Sequence, residues 1–197
     1  MSDFVTAADV LRDAAERINE DNWVRGEYHA VKQEGGAPGK NIHYGCAMGH
    51  LAIALASLRS SNKEMTPEQA EIALTSELTA FTSEDMSASF EEEAGRENPV
   101  QYATAAQFLA KVLDSKEGRK PDGTPIESEL PTEADAIRRI ITWNDAEGDG
   151  ASDWMEIQVA LKEAAQLLED ACPHSHMKRE GDSEIYSCLD CGFKDTA

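Results

Sequence analysis

Basic side chains are in short supply in this sequence: 18 Lys and Arg stand against 38 Asp and Glu, a formal net charge of -20 over 197 residues. Proteins that grip duplex nucleic acid draw their affinity from clustered Lys and Arg on the phosphates, so direct duplex binding is not expected. Also lacking is any apolar run near the roughly 20 residues that a helix needs to cross a bilayer. The opening MSDFVTAADVLRDAAERI carries acidic residues and no basic-then-apolar order, which speaks against a secretory signal and for the cytoplasm. Cysteine is sparse as well. There are four, and in a reducing cytosol they are expected to remain thiols.

The acidity has two readings. A concentrated negative face can imitate nucleic acid or inhibit a basic partner. A dispersed one keeps a protein solvated, and here the charges are spread along helical patterns rather than massed in one tract. Dispersion favours the solvated face.

What the chain has in plenty is helical periodicity. Thr6 opens a pattern in which Val10, Leu11, Ala14, Ala15 and Ile18 share one face, with Asp9 placed for a relative of the capping box. A second helix is expected from near Cys46 through HLAIALASL, and a third from Thr66, where Thr-Pro-Glu-Gln gives an N-cap followed by Pro. Ser83 can cap a short acidic helix. Asn98-Pro99 starts another, with Ala103, Phe108, Leu109 and Val112 as its buried side. Thr132 opens EADAIRRIITW, and Ser152 or Asp153 opens a closing helix striped with Trp154, Ile157, Leu161, Ala164, Ala165 and Leu168. GGAPGKN at 35–41 and the glycine- and proline-bearing stretch 115–131 read as loops. Strand-like alternation is rare before residue 180. The expected fold is mainly α: a multi-helix domain over residues 1–170 with a small zinc-binding β-hairpin or knuckle over 171–197.

That last segment holds three of the four cysteines and too few large apolar residues to bury a core of its own. Cys188-Leu-Asp-Cys191-Gly192 is a knuckle, two thiolates followed by a glycine free to take a positive φ. Cys172 and one histidine complete a four-ligand set. Cys172-Pro-His174 is the tighter pairing, and His176 is the alternative. Glu-Gly-Asp-Ser between the two pairs is a turn that can fold them together. Three thiolates and one imidazole suit a closed, structural zinc site.

Two other constellations carry weaker signals. Asp145, Glu147, Asp149, Gly150, Asp153 and Glu156 fall on calcium-loop positions, but Glu at the third and Ser152 at the eighth fit poorly. An acidic turn capping the last helix is the preferred reading. His43-Tyr-Gly-Cys46-Ala-Met-Gly-His50 places a thiol at a helix start, where its pKa is expected to fall, with His50 one turn on. With Asn144 or Asp145 as orienting group this describes a cysteine nucleophile; a small buried cysteine on an alanine-rich packing face is the plainer account.

The stretch VLRDAAERINEDNWVRGEY ahead of Cys46-Ala-Met-Gly49, then IITWNDAEG and MEIQVALKEAA, resembles an uncharacterised family of actinobacteria and their phages over residues 7–59 and 134–168. The resemblance implies no activity. It implies that Cys46, Trp143, Asn144 and Asp145 meet in space, with Asn144 and Asp145 anchoring the loop between two helices. His50 stands where that family has a small residue, so no role carries over to it. Short CxH…CxxCG tails resemble the zinc ribbons appended to phage proteins, which favours His174 over His176. The expected function is a non-enzymatic binding protein with a basic protein partner and structural zinc. A hydrolase or transferase using Cys46, and an acidic nucleic-acid mimic, are the alternatives.

Overall fold

A computed structural model of the chain describes residues 5–33, 41–61, 100–117, 130–146, 153–172, 174, 176–179, 185–191 and 193–196. In it the Thr6 hydroxyl oxygen accepts from Asp9 N, and the Asp9 carboxylate accepts from both the backbone N–H and the hydroxyl of Thr6. This complete capping box starts helix α1, Ala7–Arg17. The further helices are α2 (Ala47–Ser61), α3 (Val100–Glu117), α4 (Glu133–Asn144) and α5 (Trp154–Ala171). Thr132 caps α4 by accepting from Asp135 N, and Asp153 caps α5 by accepting from Glu156 N. Among the described residues the fold is mainly helical, as expected.

The apolar stripes become the core. Val10, Leu11, Ala14, Ala15 and Ile18 are all buried, and so are Ile157, Leu161, Ala164, Ala165 and Leu168 of α5. Burying a leucine such as Leu11 or Leu161 contributes about 1.5–3 kcal/mol. α1 lies against α5, α2 and α3, and α4 against α3 and α2. Gln158 Nε2 donates to the Ala15 carbonyl (2.9 Å) and Arg12 pairs with Glu169, which makes α1 and α5 antiparallel neighbours. From Ala47 to Ala56 every residue of α2 is buried, marking it as the central helix. No helix among the described residues is long and apolar enough to cross a membrane.

Several local features differ from the periodicity. α1 stops at Arg17, with Ile18 as its C-cap; the chain turns at Asn19–Asn22, with Asn22 Oδ1 accepting from Asn19 N (2.8 Å). α3 runs on to Glu117, into the stretch read as loop, and Ala103 is half-buried rather than buried. Strands β1 (Ala30–Gln33) and β2 (Asn41–Tyr44) pair antiparallel, Ala30 opposite Tyr44. Four residues apiece are too few for a period-2 signal to stand out. After α5 come β3 (Met177–Arg179), β4 (Ile185–Cys188) and β5 (Lys194–Thr196) in an antiparallel sheet of order β3-β4-β5. The expected hairpin therefore gains a third strand. The helices expected from Thr66 and Ser83 lie outside the described residues.

Candidate metal centre

Cys172 is the C-cap of α5, held in extended backbone as the helix ends. Two residues on, His174 takes φ 53, a left-handed conformation uncommon outside glycine, and its backbone N–H points at Cys172 Sγ (3.4 Å). β3 then pairs with β4 in a register that sets Met177 opposite Cys188. Leu189 N donates to the His176 carbonyl (2.8 Å), and Cys188 N donates to the Phe193 carbonyl (2.7 Å), closing the knuckle. Sheet register thus brings two ligand pairs, 16 residues apart in sequence at Cys172 and Cys188, to one point.

Cys172 Sγ lies 3.6 Å from Cys188 Sγ, and Cys191 Sγ lies 3.3 Å from His174 Nδ1. All four ligand atoms fall within 4.8 Å of one another. A tetrahedral zinc with bonds of about 2.3 Å to sulfur and 2.0–2.1 Å to nitrogen has ligand–ligand edges of about 3.8 and 3.5 Å. The two shortest separations, 3.6 and 3.3 Å, are close to those edges, and the cluster could hold a metal ion. Cys172 and Cys188 are buried and belong to the helical core, while Cys191 and His174 are half-buried. The His174 ring stacks on Phe193, centroids 4.2 Å apart, which fixes its orientation. Burial raises the thiol pKa of Cys172, and the Cys188 and Cys191 thiols raise it further; burial raises that of Cys191 too. The Cys172 and Cys191 thiols therefore resist ionising, and a divalent ion reverses that by binding the thiolates directly.

His176 stands elsewhere. Its Nδ1 is 2.8 Å from Asp190 Oδ2, and Asp190, only 2% exposed, also accepts from the Thr104 hydroxyl of α3 (3.1 Å). Asp190 is a buried anchor that sequence reasoning passed over. A carboxylate inside a CxxC knuckle was its one available signal.

The Cys46 region is built differently. Cys46 is 6% exposed, with backbone N–H groups of Gly49 and Met48 directed at its sulfur. The expected fall in its pKa is overturned: burial outweighs those N–H groups and pushes the thiol up to about 11. His50 Nε2 donates to the Asn22 carbonyl (3.1 Å), so Nε2 carries the proton. Burial lowers the His50 pKa to about 4, and its Nδ1 is buried without a hydrogen-bond partner among the described residues. Asn144 Oδ1 accepts from the Trp23 indole (3.1 Å) and from Ala47 N (3.0 Å). Its Nδ2 donates to Asp145 Oδ1 (2.8 Å), which also accepts from Gly26 N (2.9 Å). The Trp-Asn-Asp stretch thereby fastens the 19–28 loop to the start of α2.

Residues 4–167 match the family model described as a family of unknown function, DUF6197. The chain belongs to that family. No curated protein and no solved structure matches it. The DUF6197 match takes in the Cys46 and Asn144 region and ends before Cys172, so the metal cluster lies outside it. Within the DUF6197 region, Gly49 has a direct physical reason: a Cβ there would stand 1.6 Å from the Tyr28 carbonyl oxygen, and one at Gly45 2.2 Å from it. Of the calcium-loop residues, Asp145 is engaged by Gly26 and Asn144 and Asp153 caps α5; residues 147–152 lie outside the described residues.

Proposed function

We propose that Cys172, His174, Cys188 and Cys191 bind one structural zinc ion, and that the protein is a non-enzymatic binding protein for which this centre shapes a scaffold or contact surface. The observation that carries the reading is the convergence of three thiols and one imidazole within 4.8 Å. Soft sulfur ligands favour zinc over calcium or magnesium. Four protein ligands fill a tetrahedral shell and leave no position for a reacting water, the arrangement of structural rather than catalytic zinc. Thiolate ligands of this kind persist in a reducing cytoplasm, where we place the protein.

For the partner, the supporting feature is the net charge of -20, which attracts a basic protein surface over a Debye length of about 8–10 Å at moderate salt. Zinc-loaded protein immobilised at low salt is expected to retain a basic partner that elutes as ionic strength rises. Recovery of nothing above background would contradict the binding role and leave the metal assignment standing.

A further inference from the structure

The knuckle does more than arrange its own ligands. Leu189 and Asp190 sit between Cys188 and Cys191, and their carbonyls accept the backbone N–H groups of Ala7 (3.0 Å) and Ala8 (2.9 Å). Those are the first two residues of α1, where helix geometry supplies no internal acceptor. The third first-turn donor, Asp9 N, is taken by the Thr6 hydroxyl, and the first bond internal to the helix runs from Val10 N to the Thr6 carbonyl. The N-terminus of α1 is therefore fully satisfied, two donors of three by the C-terminal tail. Ala7 and Ala8 are 0% exposed, so water cannot take over if those carbonyls move away. A second tether runs from the same turn: the Asp190 carboxylate takes the Thr104 hydroxyl of α3.

Resting on the zinc reading above, we propose that the ion acts as a remote helix cap. By chelating Cys188 and Cys191 it fixes the path of the two residues between them, and so fixes the acceptors that the buried start of α1 requires. Metal occupancy of the tail and docking of α1 in the helical body are one coupled equilibrium. Loss of the ion releases Leu189 and Asp190, strands two buried amides, and loosens the end of α1 that packs beside α5. Coupling of this kind is reciprocal, so the Thr104 and α1 contacts in turn strengthen metal binding.

The test uses the full chain under reducing conditions. Amide hydrogen exchange at Ala7 and Ala8 is followed in zinc-loaded protein and after removal of zinc with a chelator, with zinc content measured on the same samples. Exchange is expected to accelerate about tenfold or more on stripping and to slow again when zinc is restored. Zinc that leaves while both amides keep their protection would overturn the coupling with the metal site intact. Protein that takes up no zinc at all would overturn the metal reading, and this inference with it. A Thr104→Val variant, which leaves all four proposed ligands in place and is close in volume, guards against simple misfolding. With an unchanged circular dichroism spectrum, it is expected to bind zinc about fivefold more weakly or worse. Unaltered affinity in that variant would refute the Asp190 tether.

Discussion

Two parts of this chain set a cysteine a few residues from a histidine, and the backbone makes opposite use of them. In the tail, a left-handed turn at His174 and the pairing of β3 with β4 aim Cys172, His174, Cys188 and Cys191 at a common point. At the start of α2, Cys46 meets backbone N–H groups of its own helix turn and His50 meets the Asn22 carbonyl. Spacing in sequence is similar in the two. What differs is whether the neighbouring polar atoms are left for a ligand or consumed by backbone. In the DUF6197 region, the polar residues that look like chemistry fasten loops to helices.

The sharpest way to break this contrast is to replace one cysteine from each part. Cys188→Ser removes a fully buried member of the proposed zinc site, and its expected cost is at least about 3 kcal/mol if the ion orders the tail. For a chain of this size that lowers the melting temperature by about 6–12 °C. Cys46→Ala removes only packing and should cost about 1 kcal/mol. Equal costs in thermal melts would mean that the two cysteines do the same job.

Asn144→Ala probes the structural reading of the DUF6197 region. It leaves the Ala47 N–H and the Trp23 indole without their acceptor at a fully buried position. The expected loss is about 2–4 kcal/mol in urea unfolding. A loss below about 0.5 kcal/mol, typical of an unconstrained surface position, would undo that reading. Gly49→Ala forces a methyl against the Tyr28 carbonyl and is expected to cost about 2–3 kcal/mol, with the 19–28 loop displaced.

A further expected effect is a pH dependence centred on His50. Its folded pKa of about 4 lies below its ordinary 6.5, so between these values the unfolded chain binds a proton that the folded one refuses. Stability from this group is complete above about pH 6.5 and declines as pH falls toward 4, by about 2 kcal/mol at pH 5. His29, lowered to about 4 by burial and by His43, acts in the same direction but is less enclosed. Comparing urea midpoints at pH 7 and pH 5, His50→Gln should flatten the decline. An identical slope in the variant would remove His50 from the account.

How much of this was legible in the sequence follows the range of each interaction. Thr6, Thr132 and Asp153 could be read as caps because a side-chain oxygen reaches an N–H three residues on. The stripes of α1 and α5 could be read because helical geometry alone gathers them. The four residues of the cluster were visible as two local pairs, and the preference for His174 over His176 came from the resemblance of the tail to CxH…CxxCG ribbons. Asp190 was not visible, since Thr104 lies 86 residues away from it. The carbonyls that cap α1 leave no trace in side-chain identity whatever. Cys46 was read correctly as a small buried packing residue, but the direction of its pKa shift was not, for a related reason. Its position at a helix start is local and lowers a thiol pKa, but the burial that raises it is assembled from distant elements.

The most direct trial of the central claim is zinc content per chain, measured on protein purified under reducing conditions as wild type, Cys46→Ser and Cys188→Ser. The account predicts about one equivalent in the first two and essentially none in the third. Wild-type protein free of metal with residues 172–196 still folded, or zinc retained without Cys188, would contradict it.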